Sequence, residues 1–242
     1  MNACRVSYPA PIVSDPAVPD GPADGDRVFR SLTVHPSDPD TFLLSTERNG
    51  FMLSRDGGDT WTRLRAGLHS KEWGYPEIWD IDFATNNPDI IMAATLGSPE
   101  SAFGPDVEDG LYRSSDGGQT WIQLNCGFVN SRVVSVRISP SNPDVAVVGI
   151  EGGFPSFTGS GASQYYPGGI FRTEDAGQNW TRVTIGPDDE RNGFVIMHMA
   201  TGSQPQLITF GANHSDTIQN LGFLRSRDMA LLGSHLRLIL ER

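Results

Sequence analysis

The sequence predicts an all-β propeller: four-stranded blades in tandem, about three and a half of them, in an incomplete ring. Three observations predict it. An eight-residue frame occurs as Ser54-Arg55-Asp56-Gly57-Gly58-Asp59-Thr60-Trp61, as Ser114-Ser115-Asp116-Gly117-Gly118-Gln119-Thr120-Trp121 and as Thr173-Glu174-Asp175-Ala176-Gly177-Gln178-Asn179-Trp180, with the central Asp 60 and then 59 residues apart. A fixed period of this size marks a repeat architecture. Four short β-type runs punctuated by turn residues accompany each frame, and no helical period lies between them. Tandem four-stranded units of that kind stack as propeller blades.

Residues 1–27 hold Pro9, Pro11, Pro16, Pro19 and Pro22 and read as an irregular lead-in. The first blade (about 28–66) contains the runs Ser31–Val34, Phe42–Leu44, Gly50–Leu53 and Trp61–Leu64. The second (about 76–126) contains Trp79–Phe83, Ile90–Met92, Gly110–Arg113 and Trp121–Leu124. The third (about 131–185) contains Val133–Ile138, Val145–Val148, Gly169–Arg172 and Trp180–Val183. In each, Pro-Asp precedes the second run (Pro39-Asp40, Pro88-Asp89, Pro143-Asp144) and Gly opens the third. The Asp and two small residues of the frame suit a tight turn, because Gly accepts positive φ and an Asp carboxylate bonds nearby backbone. Asp56, Trp61, Asp116, Trp121, Asp175 and Trp180 are therefore expected to be structural.

A partial fourth blade (193–242) begins with Val195–Met199 and Leu207–Phe210, and Gly222–Asp228 matches Gly50–Asp56 at five of seven positions. The frame then stops. Asp228-Met229-Ala230 must be encoded GAY-ATG-GCN, and one nucleotide later this reads Thr or Ile followed by Trp, the missing ending. The expectation is a frameshift near Asp228 and a larger intact ring. An open ring exposes the apolar faces of its end blades, so the chain is expected to self-associate through open propeller edges.

The repeated frame resembles the Asp-box, or BNR, repeat, S-x-D-x-G-x-T-W, over about residues 28 to 228. Carriers include sialidases, xyloglucan-degrading glycoside hydrolases, sortilin-type receptors and a photosystem II assembly factor. The resemblance implies a propeller in which Asp56, Asp116 and Asp175 lie at the turn between the third and fourth strands, on the face away from the active site. It implies carbohydrate chemistry as a class, although a fold does not transmit an activity.

Alternation of the strands then sends the loops between second and third strands to the opposite, upper face. From the Pro to the frame Asp they span 17, 28 and 32 residues in the three blades, so the second and third carry insertions there. Functional groups concentrate in such loops. Trp73, Tyr75, Phe103, Asp106, Phe154, Phe157, Tyr165 and Tyr166 are the candidate ligand-binding residues: aromatic faces stack on sugar rings, and carboxylates accept hydroxyl hydrogen bonds. A glycosidase needs two carboxyl groups across the scissile bond; Glu47, Glu77, Asp80 and Glu151 are the candidates, and no spacing singles out a pair. Two readings follow: a module that binds a glycan or a protein partner through these loops, or a glycoside hydrolase of sialidase or xyloglucanase type.

Composition narrows the field. Lys+Arg 18 against Asp+Glu 29 gives net charge −11 with no basic run, which speaks against nucleic-acid binding. Apolar runs fall far short of the ~20 residues of a membrane span. The five His residues show no metal-ligand spacing, and Cys4 and Cys126 make no cystine framework, so no metal and no cofactor is expected. The opening Met1–Ser7 carries no secretory signature, which places the chain in the cytoplasm by default and outside the cell if the gene start lies upstream.

Overall fold

A computed structural model describes residues 29–47, 49–69, 75–96, 109–124, 127–128, 131–151 and 168–183 in full, and the strands at 195–201, 208–213, 222–226 and 237–239 as backbone. They form four antiparallel sheets of four strands, taken in chain order within each. Sheet 1 is β1 (Phe29–His35), β2 (Asp38–Thr46), β3 (Phe51–Ser54) and β4 (Thr62–Leu64). Sheet 2 is β5 (Glu77–Phe83), β6 (Ile91–Leu96), β7 (Leu111–Ser114) and β8 (Ile122–Gln123). Sheet 3 is β9 (Val133–Ile138), β10 (Ala146–Ile150), β11 (Gly169–Thr173) and β12 (Thr181–Val183). Sheet 4 is β13 (Val195–Thr201), β14 (Ile208–Asn213), β15 (Gly222–Ser226) and β16 (Arg237–Ile239). The first strands follow one another in space: β1 packs on β5, β5 on β9 and β9 on β13, the arrangement of a propeller's inner strands.

Sheet 4 differs from the expected half unit. Its last strand pairs Arg237, Leu238 and Ile239 with Arg225, Leu224 and Phe223. The break of the repeated frame after Asp228 therefore does not remove the fourth strand, which starts nine residues later.

Burial explains why the middle strands lack an alternating pattern. Every residue of β6 is buried, because the strand is covered on both faces. Ile91 and Ala93 enter the core between sheets 1 and 2, with Leu43, Phe51, Ile78, Ile81, Phe83 and Trp121. Met92 and Ala94 enter the core between sheets 2 and 3, with Leu111, Val133, Val136, Ile138, Val148 and Trp180. Sheets 2 and 3 thus each have a leading face against the sheet before and a trailing face against the sheet after. Phe51 of sheet 1 stacks on Trp121 of sheet 2 with centroids 4.2 Å apart.

The three repeated turns share one hydrogen-bond plan. Asp56 Oδ1 accepts from Ser54 Oγ at 2.8 Å and from Thr60 N at 2.9 Å, and Oδ2 accepts from Thr60 Oγ1. Asp116 repeats this with Ser114 and Thr120, and Asp175 with Thr173 and Asn179. The Ser or Thr hydroxyl also accepts from the backbone of Gly58, Gly118 or Gly177. The Pro-Asp dipeptides belong to the same device: the carbonyls of Asp40, Asp89 and Asp144 accept from Gly57 N, Gly117 N and Ala176 N. Hydrogen bonds from Thr60 and Ser54 hold the Asp56 carboxyl down to about 2. Burial pushes Asp116 and Asp175 up, but the corresponding bonds outweigh it and both end below the usual range.

Candidate functional site

The register separates two ends. The repeated turns leave β3, β7 and β11 at one end. The starts of β1, β5 and β9 and the ends of β2, β6 and β10 meet at the other: Phe29 faces Thr46, Glu77 faces Leu96 and Val133 faces Ile150. This second end is the candidate site.

Each first strand is irregular there. One extra residue is inserted in the stretch between Phe29 and Leu32, between Ile78 and Asp80, between Val133 and Ser135, and between Ile196 and His198. Bulges re-aim side chains and cluster beside active sites. In β5 the extra residue is Trp79. Its Nε1 donates to Glu77 Oε2 at 3.1 Å, and the Arg30 guanidinium lies 4.6 Å from its ring centroid. Arg30 Nη2 donates to Glu77 Oε1 at 3.0 Å, closing a three-residue cluster between β1 and β5. The β1 bulge is satisfied locally, since Ser31 N donates to Ser45 Oγ at 2.8 Å.

Glu151, one residue past β10, accepts from Arg132 Nη2 at 2.8 Å and Arg132 Nε at 3.0 Å. Glu47, one residue past β2, has no ion-pair partner among the described residues. Tyr75 packs against the core between sheets 1 and 2, with the Arg65 guanidinium 4.9 Å from its centroid. Arg65 in turn donates to Asn49 O and Asn49 Oδ1.

Asp80 lies deeper, where β5 meets β9. Its Oδ2 accepts from Val136 N at 3.0 Å and from Arg137 Nη1. Asp82, two residues on, accepts from Ile138 N at 2.7 Å. Val136 and Ile138 lie on the edge of β9 that β10 leaves unpaired, so two carboxylates cap an open strand edge. Burial pushes both acids up against the pull of Arg137, and Asp82 reaches about 7, helped by the neighbouring Asp80 charge.

Of the four candidate carboxylates, Glu77 is thus bound toward sheet 1 and Asp80 toward sheet 3; they do not face each other. Trp73, Phe103, Asp106, Phe154, Phe157, Tyr165 and Tyr166 lie outside the described residues. Sequence reasoning missed Arg30, Trp79 and Arg132; the signal for Trp79 was an aromatic between two polar positions at the start of a first strand. Among the described residues no cluster of three or more His, Cys, Asp or Glu side chains could hold a metal ion.

No protein-family model matches the chain. It is 27% identical over 175 residues to a probable oligoxyloglucan-reducing end-specific xyloglucanase of Neosartorya fischeri, covering 67% of this chain and 18% of that protein. Its identity to the corresponding xyloglucanase of Emericella nidulans is 25% over 187 residues, covering 73% and 20%. The chain therefore spans about a fifth of the length of these curated relatives. Among solved structures, an ancestral GH74 enzyme superposes with TM-score 0.57 at 21% identity, over 85% of this chain and 25% of that one. The GH74 xyloglucanase of Xanthomonas campestris gives 0.57 at 19%, over 83% and 29%. YCF48 from Cyanidioschyzon merolae gives 0.54 at 18%, over 89% and 58%. These likenesses define an all-β, propeller-like fold related distantly to the xyloglucanase and YCF48 folds.

Proposed function

We propose that the chain is part of a carbohydrate-acting protein of the glycoside hydrolase type, built from Asp-box blades, with a xyloglucan-like β-glucan as its ligand. The observation that carries the proposal is the series of aligned bulges at one end of the first strands, which sets Trp79, Glu77 and Arg30 there in a chain whose named relatives are xyloglucanases. The Trp79 ring offers an apolar platform for a sugar, and Glu77 and Glu151, held by arginines, accept hydroxyl hydrogen bonds without wandering. A carboxyl locked in an ion pair is poorly placed to trade protons. Glu47, which has no ion-pair partner among the described residues, is the candidate for one of the two carboxyl groups that cleave a glycosidic bond. The long loops of the second and third blades, with Phe103, Asp106, Phe154, Phe157, Tyr165 and Tyr166, complete the walls in this reading.

The test is retention of the purified chain in gels cast with xyloglucan, β-glucan or mannan, together with release of reducing ends from xyloglucan oligosaccharides. Xyloglucan should retard the chain, Trp79→Ala should weaken binding by about tenfold or more, and Glu47→Gln should abolish hydrolysis while sparing binding. Retardation without hydrolysis by the unaltered protein would convert the reading to a binding module. Absence of retardation by every polysaccharide would end it.

A further inference from the structure

Asp80 reads in the sequence as a candidate acid, yet its carboxylate is bound toward sheet 3 and away from Glu77. What it does instead follows from its place in β5. Asp80 directly follows Trp79, the extra residue of the β5 bulge. A bulge leaves its extra residue outside the ladder, so the ladder does not fix where that side chain points. On one side of Trp79, Arg30 of sheet 1 lies 4.6 Å from the ring centroid. On the other, Asp80 ties the bulge to sheet 3. Its Oδ1 accepts from Ile81 N at 3.1 Å, and its Oδ2 accepts from Val136 N at 3.0 Å and from Arg137 Nη1. Arg137 Nη1 also donates to Val136 O, so the guanidinium is itself fixed on β9.

This clamp is particular to the strand that carries Trp79. In β1 the bulge is bonded within its own sheet, from Ser31 N to Ser45 Oγ. In β9 the register position of Asp80 is taken by Ser135, which faces Gly149 as Asp80 faces Ala94, and its hydroxyl is buried without a partner among the described residues. A carboxylate is a costly way to cap a strand here. Burial raises Asp80 even against Arg137 and two backbone N–H groups, whereas an asparagine would keep one of those backbone bonds with no charge to bury. A group that lowers stability beside a candidate site points to a functional constraint.

We propose that Asp80 is the positioning residue of Trp79: it pins the β5 bulge to the edge of β9, so that the indole holds one orientation for a sugar. Asp82 accepts from Ile138 N at 2.7 Å, further from the bulge, and is a strand cap without this role. The inference rests on the reading of Trp79 as a sugar platform, but the placement of the ring is testable without any sugar.

The test combines fluorine NMR of the full chain grown on fluorotryptophan with retention in xyloglucan gels. The chain has five tryptophans, and Trp79→Phe identifies the Trp79 resonance. Asp80→Asn should shift or split that resonance, Asp82→Asn should leave it in place, and neither should lower the thermal midpoint at alkaline pH. Asp80→Ser, which sets there the residue type that β9 carries, is the second variant and should move the same resonance. In the gels Asp80→Asn should weaken retention by no more than the loss of about tenfold expected of Trp79→Ala, because it acts through that ring. For the same reason Trp79→Ala/Asp80→Asn should bind as Trp79→Ala does alone. A Trp79 resonance unmoved by both Asp80 variants, one moved equally by Asp82→Asn, or losses of retention that add in the double variant would each overturn the proposal. If no polysaccharide retains the unaltered chain, the glycan reading falls, and the resonance still decides whether Asp80 positions Trp79.

Discussion

Asp82→Asn is expected to stabilise the protein above neutral pH. The Asp82 carboxyl is raised from 3.8 to about 7, first by burial and then by the adjacent Asp80 charge, with Arg137 and the Ile138 N–H pulling the other way. A carboxyl raised in the folded state favours folding only while it is protonated. Its contribution is therefore complete below about pH 4 and is lost as pH rises through 7. The rise from 3.8 to about 7 corresponds to about 4 kcal/mol once the group is ionised in both states. The asparagine carbonyl still accepts from Ile138 N–H, where the present bond is 2.7 Å, so substitution removes the charge and keeps the cap. The gain should approach about 4 kcal/mol at pH 8 and shrink toward zero near pH 4. Urea unfolding at pH 5 and pH 8 measures it. Asp80→Asn should act in the same direction, since burial raises that carboxyl too, even against the ion pair with Arg137. A wild-type protein equally stable at both pH values, or an Asp82→Asn protein weaker at pH 8, would refute the reasoning.

The repeated turns yield three further expectations. Asp116→Ala should cost about 2 kcal/mol, because Ser114 and Thr120 lose a charged acceptor; since all three turn carboxyls are depressed, wild-type stability should also fall as pH drops below about 4, read by acid titration of the circular dichroism. Gly117→Ala should cost no more than about 1 kcal/mol, because the third turn already carries Ala176 at φ 60; Gly67→Ala, whose Cβ would lie 1.9 Å from Trp121 O at φ +85, should cost several times more in thermal unfolding. Trp180→Phe should destabilise about 1 kcal/mol more than Trp121→Phe, since Trp180 Nε1 donates to Gly177 O at 3.1 Å and Trp121 Nε1 has no partner among the described residues; paired denaturation curves decide it.

The repeated turns were legible in the sequence because their side-chain bonds close within eight residues, Asp accepting from the Ser or Thr before it and the Thr or Asn after it, with one carbonyl from the Pro-Asp run added. The strands around them were legible for the same local reason. What escaped depends on chain segments far apart. Asp80 read as a candidate acid because nothing near it in sequence shows that Val136 and Arg137 lie against it. The bulges left no mark, since Trp79, Val134 and Met197 are apolar residues of the kind any strand carries and β1 has Arg30-Ser31 there. The strand order in the sequence sets Glu47 and Glu151 just past the second runs of their blades, but nothing local shows that Arg132 pairs with Glu151. The fourth strand of sheet 4 leaves little mark because the sequence after Asp228 lacks the Gly, Thr and Trp that announce the fourth strand elsewhere.

The two ends of the sheets obey different constraints, and this bears on where function can reside. At the turn end each Asp is saturated by its own turn, and each turn is tied back by a carbonyl of the same sheet. A substitution there is felt as lost stability. At the other end the first strands bulge, Arg30 reaches across sheets to Glu77, and the loop lengths differ from unit to unit. A carboxylate at that end can change its partner without unravelling a turn. Glu47→Gln should accordingly leave the urea midpoint within about 0.5 kcal/mol of wild type while removing whatever catalysis the protein shows. A large loss of stability on that substitution would place Glu47 among the structural carboxylates and move the search for acid and base into the long loops of the second and third units.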